Sequence, residues 1–139
     1  MRLWHQKLLP YLPRQQLLGQ HRECCALRGK GWGRKHSVVD YVFNHSPALL
    51  IAYHYLVIEE MERRGYNPDP NWYKINWRGN MLQIDENWAD EHEVLEITNF
   101  CRDGSAIIYK EHNNEYLQEC LKNLSEKGIS IDFSKKVGA

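Results

Sequence analysis

One carboxylate stands alone among cations near the start of this sequence. Glu23 is the only acid in residues 1–36, and Arg22 directly precedes it. Arg2, Lys7, Arg14, Arg22, Arg28, Lys30, Arg34 and Lys35 share that segment, giving it a net charge of 8 − 1 = +7. Nearby cations favour the ionised form of a carboxyl group, so Glu23 is expected to be an anion at neutral pH. Such a group serves as a base or stabilises a developing cation. The same Arg22–Glu23 pair also reads as an ion pair on a helix surface, contributing under about 1 kcal/mol. Other chemistry has little support. The sequence holds no P-loop, no G-x-G-x-x-G, no G-x-S-x-G and no H-E-x-x-H. His54 and Glu59–Glu60 share one helical stretch without a second ligand cluster. Cys24, Cys25, Cys101 and Cys120 form no C-x-x-C pair and read as reduced core thiols. A zinc site drawn from Cys24, Cys101, Cys120 and some of the 7 histidines is the weaker alternative.

The elements that must position these residues follow from periodicity and punctuation. Pro13 suits a first helical position and Gly29 a stop, so a helix is expected from Pro13 to about Leu27. Leu17, His21, Cys24 and Leu27 form its apolar stripe, with Arg22 and Glu23 opening a more polar face. Gly29 to Gly33 is a basic loop carrying Trp32. A short helix fits His36 to Phe43. Ser46-Pro47 then opens a helix that runs to about Arg64 and ends at Gly65. Residues 80–92 read as an acidic loop. Val94, Leu95, Ile97 and Phe100 read as a short strand or an irregular cover, and Ala106 to Tyr109 as a brief extended piece. A last helix is expected from about Asn113 to Lys127, with Tyr116, Cys120, Leu121 and Leu124 inward. The tail from Ser130 is expected to fray.

The fold class expected is mainly α: one compact all-helical domain, 1–139, of about four to five helices with irregular connections. Within it, 70–112 reads as an acidic irregular segment, 113–128 as a packing helix and 129–139 as a tail. The composition is that of an ordinary globular chain, with 42% hydrophobic and 26% charged residues, which excludes a mainly disordered one. Net charge is zero over 139 residues, which excludes a uniformly basic nucleic-acid binder but not a polarised one. Residues 37–139 must sum to −7, and 80–99 hold six acids and no Lys or Arg. That asymmetry suits one basic face for a polyanion, or two halves that attract each other. No apolar run approaches a membrane span, and a cytoplasmic, nucleoid-associated monomer is expected.

Four ordered stretches carry a family resemblance: L-P-R-Q-Q-L-L-G-Q-H-R-E (Leu12 to Glu23), G-R-K-H (Gly33 to His36), F-N-H-S-P (Phe43 to Pro47) and E-E-M-E-R-R-G-Y-N (Glu59 to Asn67). From Met1 to about Asp69 the chain resembles the pyrimidine-dimer DNA glycosylases of the phage endonuclease V type. The resemblance implies an all-helical DNA repair enzyme with no metal or other cofactor, acting on damaged double-stranded DNA. In such enzymes the target is flipped out of the stack. A free α-amine attacks the deoxyribose C1′ and expels the base, and the Schiff base then allows β-elimination at the abasic site. An α-amine suits that role, because its pKa of about 7.7–8.0 leaves far more free base at pH 7 than a Lys with about 10.4.

Carried over by position, Glu23 matches the family's essential carboxylate and Arg22 a cation that grips phosphate or lesion. Arg2 matches the basic residue after the nucleophile. It is too bulky for the usual Met removal, so the amine would be that of Met1. Arg34, Lys35 and His36 match a basic DNA-facing segment. Arg14, Arg28, Lys30 and Trp32 are further DNA-binding candidates, with Trp32 placed either to stack on a base or to pack. The segment between Ser46-Pro47 and Glu59 is shorter than in the phage enzyme, and its aromatic, basic C-terminal motif is absent. The alternative function is a non-catalytic nucleic-acid or protein-binding module on the same scaffold.

Overall fold

The computed structural model describes residues 2–35 and 38–138. Among them are five α-helices, three short 3-10 helices and no strand, with one isolated antiparallel bridge between Trp77 and Ile84. The helical class read from the sequence is what the chain adopts.

Helix α2 (Pro47–Arg63) is the centre. Ser46 caps it by accepting from Ala48 N, and Pro47 occupies the first turn, where its missing N–H costs nothing. Leu50, Ile51, Ala52, Tyr53, His54, Val57 and Ile58 are all fully buried, so it is covered nearly all round, as a core helix must be. Helix α1 (Arg14–Arg28) packs on one side through Leu17, Cys24 and Leu27. Pro13 is its N-cap rather than its first residue. The turn after α1 needs glycine at residue 31, where an added Cβ would lie 2.7 Å from the Ala26 carbonyl oxygen.

Helix α4 (Glu91–Cys101) packs on another side of α2. This overturns the strand or irregular cover expected there. Val94, Thr98 and Cys101 fall on one face at helical spacing and are buried, and Asp90 accepts from His92 N and Glu93 N. The acidic loop before it contains the one-turn α3 (Gly79–Leu82) and is anchored by Asn76. The Asn76 side chain accepts from Ala89 N at 2.8 Å and donates to Ala89 O at 3.0 Å. Helix α5 (Asn114–Glu126) starts at the Asn113 cap and buries Cys120 and Leu124, close to the expected bounds.

The N-terminal segment is not a free basic arm. Leu3, Trp4, Leu8, Leu9 and Leu12 enter the main core, and Gln6–Tyr11 winds into a 3-10 helix against α2. Trp4 N donates to Gln20 Oε1, and the Tyr53 hydroxyl donates to Trp4 O at 2.6 Å. Gln6 stands in for a strand partner: its side chain accepts from Ile108 N and donates to Ala106 O, each at 2.8 Å. That pairing gives the piece from Ala106 to Tyr109 its hydrogen bonds without a strand. The tail is also tied down rather than frayed: Val137 N donates to Pro10 O at 3.0 Å and Phe133 packs edge-on against Tyr11. The expected His36–Phe43 helix is a 3-10 helix over Asp40–Asn44, while His36 and Ser37 lie outside the described residues.

Candidate active site

One face of α1 lines a cleft of about 330 Å3 through Gln16, Gly19, Gln20 and Glu23, residues spaced by one helical turn. Arg2 and Trp4 form a second wall, Val38 closes an edge, and Asn123 and Lys127 come from the far end of α5. Glu23 is 7% exposed, so its carboxylate belongs to the cleft and not to the outer surface. The backbone next to the cleft is fixed. Gln20 accepts from Trp4 N and donates to Arg2 O at 2.9 Å, tying the start of the chain to the helix turn before Glu23. The Arg2 guanidinium lies 5.7 Å from the Trp4 ring and 3.7 Å from Glu119. Met1 lies outside the described residues.

The other predicted residues separate into surface and interior. Arg22 is exposed, and its Nη2 lies 3.7 Å from where a Cβ on Gly19 would stand, so it folds back along α1 toward the cleft. Arg14 is exposed and sits over the Tyr66 ring at 5.2 Å. Lys30, Arg34 and Lys35 are exposed, and His36 lies outside the described residues. Trp32 meets Phe43 and Trp88 edge-on, with ring centroids at 5.1 and 5.3 Å, which makes it a packing residue rather than a free stacking platform.

Arg28 requires correction as a DNA-binding candidate. It is fully buried beneath the aromatic segment, with Nη1 donating to Trp72 O and Nη2 to Lys74 O at 2.9 and 3.0 Å. Nη1 also meets His54 Nδ1 at 3.0 Å, and the guanidinium lies 5.1 Å from the Trp72 ring. Burial lowers its pKa to about 10, which still leaves it a cation at neutral pH. Its charge serves the interior, where no phosphate can reach it.

The zinc set drawn from the sequence also requires correction. Cys24, Cys101 and Cys120 are buried thiols in the main core cluster. The group of close donors found among the described residues is His21, Cys25 and His54. Burial lowers the pKa of His21 and, much further, that of His54, and pushes the Cys25 thiol up to about 12. His21 and Cys25 sit one turn apart on α1, a spacing visible in the sequence, but their partner His54 arrives only by helix packing. Gln16 and Gln20 carried no local signal as site residues. Asn123 and Lys127 lie more than ninety positions from Glu23 in the chain and had no signal at all.

Compared with known proteins, residues 1–74 match a protein-family model described as pyrimidine dimer DNA glycosylase. That stretch includes the Arg2 and Glu23 walls of the cleft but not Asn123 or Lys127. No curated protein and no solved structure matches the chain.

Proposed function

The chain belongs to the pyrimidine dimer DNA glycosylase family, and from that premise we propose that it excises a damaged base from duplex DNA and then nicks the abasic strand by β-elimination. The α-amine of Met1 attacks C1′ of the flipped nucleotide. A C–N bond forms to the amine as the glycosidic bond breaks, and the amine's proton passes to the departing base; the C1′–O4′ bond then opens, O4′ takes a proton, and the iminium of the Schiff base forms. The Glu23 carboxylate stabilises the cationic sugar, and then accepts the C2′ proton as the 3′ phosphate departs. Water finally releases the unsaturated sugar and regenerates the amine.

The observation that carries this reading is the sharing of one cleft by Arg2 and the buried Glu23. The residue after the proposed nucleophile and the proposed base thus line the same small volume. A carboxylate held largely away from bulk solvent pulls more strongly on a developing sugar cation. Exposed Arg14, Arg22, Lys30, Arg34 and Lys35 supply cations for the phosphates on either side.

Borohydride reduction on a duplex with one abasic site tests the proposal. The protein is expected to become covalently trapped, acetylation of the α-amine is expected to abolish trapping, and the adduct should map to residue 1. Glu23→Gln should slow strand nicking by about 10²–10⁴-fold, the usual worth of a positioned acid–base group. Trapping that survives acetylation would assign the amine to a lysine. A protein that binds damaged duplex but never traps would be the non-catalytic module.

A further inference from the structure

We propose that Tyr116 and Tyr53, together with Gln20, are positioning residues for the α-amine, a role that rests on the amine chemistry proposed above and extends it by giving α5 a part in the attack. Residues 2–4 lie in no helix or strand, yet Leu3 is fully buried and Trp4 is 7% exposed. Backbone groups buried there need partners that no helix or sheet ladder supplies. Side chains from three helices supply them. Gln20 Nε2 on α1 donates to Arg2 O at 2.9 Å, the Tyr116 hydroxyl on α5 donates to Leu3 O, and the Tyr53 hydroxyl on α2 donates to Trp4 O at 2.6 Å. Three successive carbonyls are thus held by three different helices. Gln20 and Tyr53 act as one unit, because the Tyr53 hydroxyl also lies 2.8 Å from Gln20 Oε1, which accepts from Trp4 N. The Tyr116 ring is itself fixed, stacked on His112 at 5.1 Å.

Chain ends are poorly ordered unless they are tied down. A nucleophile at such an end attacks efficiently only if its approach is fixed, and a misplacement of about 1 Å costs on the order of 100-fold in rate. One planar peptide unit joins residue 1 to Arg2. Holding the carbonyls of Arg2, Leu3 and Trp4 therefore fixes the base from which the amine reaches the cleft that Arg2 and Glu23 line. The two hydroxyls act through the backbone and need not touch the reacting atoms. Tyr116 lies outside residues 1–74, the stretch that the family model matches, so the second half of the chain completes this clamp.

The test measures single-turnover borohydride trapping on a saturating abasic-site duplex, well below the melting temperature of each variant, beside the dissociation constant for the same duplex. Tyr116→Phe and Tyr53→Phe, each checked for native helicity, should trap about 10-fold more slowly than the wild type or slower still, with the dissociation constant unchanged. Tyr55→Phe is the control. It removes a hydrogen bond of the same kind, from a hydroxyl on α2 to Tyr73 O at 2.7 Å, that does not involve residues 2–4, and it should trap at the wild-type rate. Wild-type trapping rates in natively helical Tyr116→Phe and Tyr53→Phe would overturn the clamp and leave the amine chemistry standing. Equal slowing in Tyr55→Phe would overturn it too, since the loss would then follow stability alone. A wild type that traps through a lysine, or never traps, would remove the amine reading and this proposal with it.

Discussion

Arg28 and Arg34 begin in the same basic segment and end with opposite tasks. The interior accepts Arg28 because the carbonyls of Trp72 and Lys74, His54 Nδ1 and the Trp72 face replace water around its Nη1 and Nη2, while Nε is buried without a hydrogen-bond partner. Removing it strands those acceptors in the core. Arg28→Ala should therefore cost about 3 kcal/mol or more in urea unfolding. Arg34 and Lys35 stand in solvent, so Arg34→Ala and Lys35→Ala should change stability by less than about 0.5 kcal/mol. If they contact phosphates as proposed, each should instead reduce the slope of log affinity against log salt by about 1. A common loss of stability in all three variants would refute this division.

At the scale of elements, the second half of the chain rests on its caps. Helix α4 has acidic Glu91 and Glu93 in its first turn and Asp90 accepting two of its free N–H groups. Its apolar residues are few, with Leu95 and Phe100 left exposed, so the cap and the packing on α2 must hold it. Asp90→Ala should lose about 1 kcal/mol by chemical denaturation, as should Asn113→Ala at the start of α5. Undiminished stability in Asp90→Ala would mean that packing alone fixes α4. For function, the consequence of this half is local: α5 delivers Asn123 and Lys127 to the Glu23 cleft.

Across the whole molecule, buried neutral histidines join the start of the chain to the segment just before α5. Gln6 N donates to His112 Nδ1 at 3.1 Å, so the His112 proton sits on Nε2, which meets the Tyr41 hydroxyl at 2.8 Å. His5 stacks on His112 at 5.3 Å. Burial lowers the pKa of His112 to about 3 and lowers that of His5 as well. The unfolded chain, with histidines near 6.5, then binds more protons than the folded one below that pH. Stability should be flat above about pH 6.5 and fall toward pH 3, by about 1.4 kcal/mol per pH unit for His112, with His5 adding to the fall in the same direction. Thermal unfolding across pH 4–8 measures it, and His112→Gln should remove its share of the slope. A melting temperature that rises on acidification would contradict the burial of these rings as neutral groups. No helix among the described residues is long and apolar enough to cross a membrane.

The sequence by itself determined the helices with unambiguous punctuation. Pro13 and Gly29, Ser46-Pro47 and Gly65, and Asn113 and Gly128 bracket α1, α2 and α5, because caps and stops are local chemistry. It also singled out Glu23, because a lone acid among cations is visible without a fold. It left α4 undecided, since an interrupted apolar pattern of Val94, Leu95, Ile97 and Phe100 reads equally as strand, and only the surface of α2 chose the face to bury. Tertiary packing alone decided that Arg28 turns inward, that the first residues enter the core, and that Lys127 lines the same cleft as Glu23. The physical reason is common to these cases: a side chain's partner for charge or hydrogen bonding was supplied by chain tens of residues away, and no local spacing encodes that distance.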